Sequence, residues 1–147
     1  MNDTIPKRRA QCVCVHEGKI LLVHRVNKLN NREYFIFPGD IVEDDESIED
    51  ALVEETEGET SVKVALQELF YTEEENQDGE EELYYICEYL YGEPALKEGT
   101  RTAEEHAEGE QLYTPMWVPL EILDDLIVYP EVVKNLILET YSQSGER

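Results

Sequence analysis

The sequence predicts an α+β domain, and three observations support this prediction. Segments rich in β-branched and aromatic residues recur along the chain, one internal segment with helical periodicity carries acidic residues, and one amphipathic segment closes the chain. The length of 147 residues suits one hydrophobic core, and no internal repeat interrupts it. A single domain is therefore expected over residues 1–147.

The first half of the chain is expected to alternate short strands with tight turns. The expected elements are a strand at 9–16, a turn at Glu17 and Gly18, a strand at 19–25, a polar loop at 26–32 and a short strand at 34–37. This last strand leads directly into Pro38 and Gly39, which begin an acidic segment.

The second half is expected to contain the longer strands and the closing helix. The expected elements are strands at 62–71 and 82–91 around a turn at Asp78 and Gly79, an acidic loop at 92–111, a strand at 112–118, a short helix at 119–126 and a helix from Pro130 to about Tyr141.

A helix between these halves carries carboxylates along its apolar stripe. Ser47 is expected to cap it, with Asp50 in its first turn. At roughly 100° per residue, one narrow stripe contains Ile48, Ala51, Leu52, Glu55 and Glu59. Carboxylates that continue an apolar stripe need charge compensation, and magnesium is a hard cation that prefers their oxygens. The stripe therefore predicts a metal site, with a solvated helix face as the alternative.

The charge balance narrows the range of partners. The formal net charge is −23, from 35 acidic and 12 basic residues. Such a surface repels phosphate backbones, so a nucleic-acid polymer is not expected as partner, whereas a nucleotide held by local cations is compatible.

No apolar run is long enough to span a bilayer, and no signal-like segment follows the N-terminus, which predicts a cytoplasmic protein without membrane association. The three cysteines, Cys12, Cys14 and Cys87, are expected to be buried free thiols.

The segment from residue 37 to 64, FPGDIVEDDESIEDALVEETEGETSVKV, resembles the Nudix box, Gly-x5-Glu-x7-Arg-Glu-U-x-Glu-Glu-x-Gly-U, where U is a bulky aliphatic residue. The alignment needs no gap, and Glu46, Glu55, Glu59 and Val62 occupy matching positions. Four defining positions differ, and these are occupied by Asp40, Glu54, Gly58 and Ser61. The resemblance extends over about residues 8 to 140, including the strand KILLVHR and the approach YFIFPG.

The resemblance implies a fold and a reaction. It implies the Nudix fold, a mixed β-sheet sandwiched between helices, and a MutT-type hydrolase that cleaves the diphosphate linkage of a nucleoside diphosphate joined to a further group. Mg²⁺ or Mn²⁺ is the implied cofactor. Glu55 and Glu59 would hold the metal, the backbone carbonyl of Gly39 is a further ligand, and Glu46 would brace the loop before the helix.

Residues outside the box complete the expected site. Relatives often place a further glutamate on a late loop, where Glu108 and Glu110 are the candidates to replace the acid missing at Gly58. Three arginines that precede the box, Arg9, Arg25 and Arg32, are candidates to bind substrate phosphates. Phe35 is a candidate to stack on a base. Surface charge and core packing are the alternative roles for these residues.

The departures from the box also allow a second reading. Glu54 replaces the arginine that orients the helix carboxylates in the family, and Gly58 removes one of those carboxylates. A Nudix-fold protein that binds a nucleotide or a protein partner without turnover is therefore the alternative to an active hydrolase. Members of this family are often homodimers, and this chain is expected to be compatible with one.

Overall fold

A computed structural model describes residues 7–97 and 101–143. In the described chain, nine strands, three α-helices and one 3-10 helix follow in this order: β1 (Arg8–Val13), β2 (Val15–His16), β3 (Lys19–Asn27), β4 (Arg32–Ile36), β5 (Gly39–Val42), α1 (Ile48–Thr60), β6 (Lys63–Glu73), β7 (Glu81–Tyr91), α2 (Arg101–Glu108), β8 (Gln111–Pro119), the 3-10 helix (Leu120–Asp125), β9 (Val128–Tyr129) and α3 (Glu131–Gln143). None of the described helices is both long and apolar enough to cross a membrane.

The strands form two mixed sheets. The first has the order β5-β1-β7-β6, in which β1 and β7 are parallel and the other pairs are antiparallel. The second has the order β2-β3-β4-β9, with β8 paired to the other edge of β3 and β9 parallel to β4. The α+β prediction is therefore confirmed, and the strands are divided between two sheets instead of forming one.

Helices cover the strands from both sides. One buried cluster joins strand residues to α3, and its members include Val13, Ile20, Leu22, Val133 and Ile137. A second cluster joins strand residues to α1, and its members include Ala10, Cys12, Leu21, Ala51 and Leu52. Because neighbouring residues of a strand point to opposite faces, β1 and β3 contribute to both clusters. The strands thus lie between α1 and α3, as the predicted fold requires.

Two segments differ from the sequence-based expectation. Part of the acidic segment after Pro38 forms β5, which pairs with β1 in a register that places Asp40 opposite Ala10. The expected loop at 92–111 was wrong for residues 101–108, which form α2, while residues 98–100 lie outside the described chain. Alanine and glutamate are strong helix formers, which explains why the segment TAEEHAE is helical despite its polarity.

The ends of α1 are fixed by local hydrogen bonds. The backbone N–H of Asp50 donates to the Ser47 hydroxyl over 3.0 Å, which confirms the predicted N-cap. At the other end Ser61 adopts the left-handed conformation with φ of 67°, and its N–H donates to the carbonyl of Glu57. The box that this segment resembles has glycine here, and this conformation suits a residue without a Cβ. The helix keeps its expected length even though serine replaces that glycine.

Candidate functional site

The inner stripe of α1 is apolar at its start and acidic at its end. Ala51 and Leu52 are fully buried in the core beneath the helix. Glu55 and Glu59 continue the same stripe and are only partly exposed to solvent. The predicted stripe is therefore present, and packing against the strands directs its two carboxylates toward the first sheet.

A third carboxylate joins these two. One carboxylate oxygen from each of Asp40, Glu55 and Glu59 lies within 4.8 Å of the other two. Asp40 comes from β5, whereas the two glutamates come from α1, so the cluster forms where the strand edge meets the helix. Three carboxylates at such distances repel one another unless a proton or a cation offsets their charge.

The pKa values of the two glutamates reflect burial first and the crowding of carboxylates second. The pKa of Glu59 is raised to about 8. Burial is the largest cause, and the nearby carboxylates of Asp40 and Glu55 contribute to the same rise. The N–H of Gly39 and the guanidinium of Arg9 oppose this rise in pKa. Burial also raises the pKa of Glu55, with Asp40 and then Glu46 as the next contributors. The site therefore favours binding of a positive charge.

The donor set suits a hard divalent cation. Every candidate ligand atom in the cluster is a carboxylate oxygen, which is the ligand type that Mg²⁺ and Mn²⁺ prefer. Among the described residues, the basic group in an ion pair with the cluster is Arg9, whose guanidinium lies 3.4 Å from Asp40 and 3.6 Å from Glu80. One shared guanidinium cannot neutralise the whole cluster, so the residues present fit a metal site.

Glu46 and Gly39, which were also predicted for the site, support the geometry of the cluster. Oε1 of Glu46 accepts a hydrogen bond from the N–H of Glu43 at 3.0 Å, and the N–H of Glu46 donates to the carbonyl of Glu43. These bonds close the loop that leads into α1. Gly39 donates its N–H to Oε2 of Glu59 over 3.4 Å and so connects β5 to α1.

The three candidate arginines lie in different environments. Arg9 borders the carboxylate cluster, as its contact with Asp40 indicates. Arg25 stacks on the ring of Tyr113, with its Cζ 4.1 Å from the ring centroid. Arg32 lies over Tyr34 and donates to the hydroxyl of Tyr129 at 3.3 Å. Of the three, Arg9 is the one with an ion pair to a residue of the carboxylate cluster.

A cleft opens beside the cluster. Its volume is about 470 Å³, and it adjoins the cluster through Gly39. Charged, polar and aromatic side chains line it, including Arg9, Gln11, Phe37, Tyr84 and Tyr129. A mixture of apolar walls and a few polar groups is typical of a site for a small molecule.

The other predicted residues lie apart from the cluster. Phe35 stacks on His24 with ring centroids 4.7 Å apart and packs against the core on the α3 side. Glu108 ends α2 and Glu110 precedes β8, and both are exposed. Among the described residues, the acidic group that could hold a metal contains neither of these glutamates. Their role in catalysis stays a prediction.

The chain matches the NUDIX domain family over residues 6–136 and therefore belongs to that family. Similar solved structures include an ADP-ribose pyrophosphatase from Streptococcus suis, which is 21% identical, with 85% of this chain and 81% of that chain covered and a TM-score of 0.60. A MutT structure from work on Aliivibrio salmonicida and Vibrio cholerae is 22% identical, with 89% of this chain and 95% of that chain covered and a TM-score of 0.63. A UDP-X diphosphatase is 15% identical, with 97% of this chain and 66% of that chain covered and a TM-score of 0.66. At these identities the likeness establishes the fold. No curated protein matches the chain.

Sequence reasoning did not identify Asp40 as a member of the cluster. The residue was noted only as a departure from the glycine of the box, because nothing in its neighbourhood indicates that β5 pairs with β1. Its position in the sequence could have indicated its role, because it directly follows Pro38 and Gly39. The family resemblance already implies that this segment lies beside the metal.

Proposed function

We propose that this NUDIX-family chain is a divalent-metal-dependent hydrolase that cleaves the diphosphate linkage of a nucleoside diphosphate joined to a further group. The observation that carries the proposal is the convergence of the Glu55 and Glu59 carboxylates with that of Asp40, within 4.8 Å, beside an open cleft. Family membership supports the reaction class.

The chemistry requires a cation in this position. A diphosphate is strongly anionic, and the bare carboxylate cluster would repel it. When bound, Mg²⁺ or Mn²⁺ supplies the positive charge that offsets the diphosphate and lowers the pKa of water. Glu55 and Glu59 would hold the ion, with the carbonyl of Gly39 as the further ligand that the resemblance implies. Glu46 keeps the preceding loop in place through its bond from Glu43.

The protein's own groups would bind and orient the substrate. Arg9 is a candidate to contact a phosphate oxygen, because its guanidinium lies 3.4 Å from Asp40 of the cluster and the residue also lines the cleft. The rings of Phe37, Tyr84 and Tyr129 form walls on which a nucleoside could pack. Arg25, Arg32 and Phe35 remain candidates for more distant parts of the substrate.

The first substrates to test are nucleoside diphosphates that carry a further group. ADP-ribose pyrophosphatase and UDP-X diphosphatase, two of the similar structures, have names that denote such compounds. Neither name identifies the substrate of this chain, so the panel also includes nucleoside triphosphates and dinucleoside polyphosphates. The cytoplasmic location and the homodimer stay predictions.

The decisive experiment measures product release from this panel with Mg²⁺ and then with Mn²⁺. The wild type is compared with Glu55→Gln and Glu59→Gln, and with Glu49→Gln as a control on the exposed side of the same helix. We expect metal-dependent turnover that falls by about 100-fold or more in the two cluster variants and is retained in the control. Turnover that persists in both cluster variants would contradict the assignment.

The alternative is a nucleotide-binding protein without turnover, and one observation favours it. Glu54 is exposed on α1 where the family has an arginine, so the described cluster lacks the helix cation that normally orients its carboxylates. In that case the panel yields no products, while nucleotides still raise the melting temperature of the folded protein. Turnover by the wild type with any substrate of the panel would exclude this alternative.

A further inference from the structure

One carboxylate of the family's metal site is missing from α1, although the fold has room for it. In the box, Gly58 occupies the first of the paired glutamate positions, directly before Glu59. A Cβ placed on Gly58 meets no atom within 4 Å apart from its own helix neighbours. Packing therefore does not require glycine here, and a site that still binds metal needs another ligand to compensate.

The pairing of β5 with β1 brings a replacement to the same place. Asp40 lies opposite Ala10 in the antiparallel register, and directly opposed residues project to the same face of a sheet. Ala10 is fully buried in the cluster that contains Ala51 and Leu52 of α1. The side chain of Asp40 is therefore on the face that α1 covers, beside the end of the helix that carries Glu55 and Glu59.

The backbone before Asp40 is adapted to this approach. Gly39 has a φ of 140°, and a Cβ at this position would overlap the carbonyl oxygen of Ala10. Only glycine allows β5 to come so close to β1. The N–H of Ile41 then donates to Oδ1 of Asp40 at 2.7 Å, which fixes the orientation of the carboxylate.

Asp40 also has the exposure and the charge environment of an ion ligand. Its side chain is 51% exposed, so it lies at the solvent side of the cluster, whereas Glu59 is at the inner side. Its cationic partner Arg9 is shared with Glu80, at 3.4 and 3.6 Å respectively. The carboxylate is therefore accessible to an incoming cation and only weakly engaged by the arginine.

We propose that Asp40 is a ligand of the divalent cation and replaces the helix carboxylate that is missing at Gly58. The inference rests on the proposed function, because it requires a metal between the carboxylates of β5 and α1. It makes Glu108 and Glu110 unnecessary as replacements, since both lie outside the described cluster. The first residue of the box that departs from the family pattern thereby compensates for the loss of a later one.

The test measures Mn²⁺ binding directly, by electron paramagnetic resonance of the free ion and by calorimetry, without substrate. The variants are Asp40→Asn, Glu55→Gln and the control Asp44→Asn, an exposed acid of the following loop. We expect Asp40→Asn to weaken Mn²⁺ binding by about 10-fold to 100-fold, and Asp44→Asn to leave it unchanged. Circular dichroism establishes that each variant is folded.

A second variant tests the compensation itself. Adding Gly58→Glu to Asp40→Asn is expected to restore Mn²⁺ affinity to within about threefold of the wild type, since the helix carboxylate is returned to a position with room for it. If Asp40→Asn binds Mn²⁺ as well as the wild type while Glu55→Gln does not, the role of Asp40 is overturned and the proposed function survives. If Glu55→Gln also binds normally, the metal site itself is wrong and both proposals fail.

Discussion

The backbone N–H of Gly39 donates to Oε2 of Glu59 over 3.4 Å and so connects the first residue of β5 to the last turn of α1. This bond makes the carboxylate stripe of the helix and the acidic strand parts of one site. It also partly offsets the effect of burial on the pKa of Glu59. Because the two residues are far apart in sequence, the geometry of the site depends on the pairing of β5 with β1.

The raised pKa of Glu59 predicts a specific dependence of stability on pH when metal is removed. With a folded-state pKa of about 8, Glu59 stays protonated in the native protein after it has ionised in the unfolded chain. The unfolded state then holds fewer protons, so stability falls as pH rises from about 4.5 toward 8 and changes little outside that range. Glu59→Gln removes this contribution and should flatten the curve.

Thermal unfolding in a chelator at pH 5 and pH 8 measures the effect. We compare the free energy of unfolding of Glu59→Gln with that of the wild type at each pH. We expect this difference to favour the variant by roughly 2–4 kcal/mol more at pH 8 than at pH 5, or about 5–10 °C in melting temperature. Glu49→Gln, which replaces an exposed carboxylate of the same helix, serves as the control and should show no such difference. An equal change at both pH values would mean that Glu59 ionises normally in the folded protein.

Gly39→Ala should be one of the most damaging single substitutions near the site. A Cβ here would overlap the carbonyl of Ala10 and come within 2.5 Å of the Gln11 side-chain oxygen. We expect a loss of about 3 kcal/mol or more in the free energy of unfolding, together with weakened Mn²⁺ binding. Urea denaturation and a Mn²⁺ titration measure the two effects.

Gly79→Ala is the matched control for this substitution. Gly79 also has a positive φ, of 75°, but a Cβ there meets nothing within 4 Å. The free energy of unfolding of Gly79→Ala should therefore fall by only about 1 kcal/mol, from backbone strain alone, and the variant should bind Mn²⁺ normally. Equal losses in the two variants would show that strand contact at Gly39 contributes nothing beyond the strain of its backbone.

The parts of the fold that depend on local sequence were predictable. The Ser47 cap, the apolar stripe and the placement of Glu55 and Glu59 on it follow from helical periodicity and capping chemistry. The box resemblance then provided the fold and the family. These features need only residues within a few turns of one another, which is why the structure confirms the helix and its cap.

The parts that depend on distant pairing were not predictable in this way. The position of Asp40 follows from the register between β5 and β1, which no local pattern encodes. The division of the strands into two sheets has the same origin. The helix α2 differs from the expected loop for another reason, since the helix propensity of its alanine and glutamate residues outweighs the polarity of the segment.

Ser47→Ala should weaken α1 without altering the chemistry of the site. The hydroxyl of Ser47 accepts a bond from the N–H of Asp50 at 3.0 Å, and its loss leaves one donor of the first turn unsatisfied. We expect a loss of about 1 kcal/mol in the free energy of unfolding, measured by urea denaturation, and an unchanged affinity for Mn²⁺. Ser47→Asp retains an acceptor, and its free energy of unfolding should remain close to that of the wild type. If Ser47→Asp is destabilised as much as Ser47→Ala, loss of the N-cap hydrogen bond does not explain the destabilisation.

Arg9→Gln should separate substrate binding from metal binding. Arg9 lies 3.4 Å from Asp40 and lines the cleft, so it is placed to contact a phosphate group, while its positive charge opposes a cation in the adjacent cluster. Its removal should raise KM by about 10-fold or more with little change in kcat, while Mn²⁺ affinity is retained or increased. Steady-state kinetics on the best substrate of the panel and a Mn²⁺ titration measure the two effects.

Lys63→Gln is the control for loss of a basic side chain, because Lys63 pairs with Glu57 at 3.7 Å on the surface and does not line the cleft. It should leave both KM and Mn²⁺ affinity near the wild-type values. If Arg9→Gln instead lowers Mn²⁺ affinity and leaves KM unchanged, the arginine acts by holding Asp40 in position. The Arg9 guanidinium would then support the metal ligands and take no part in phosphate recognition.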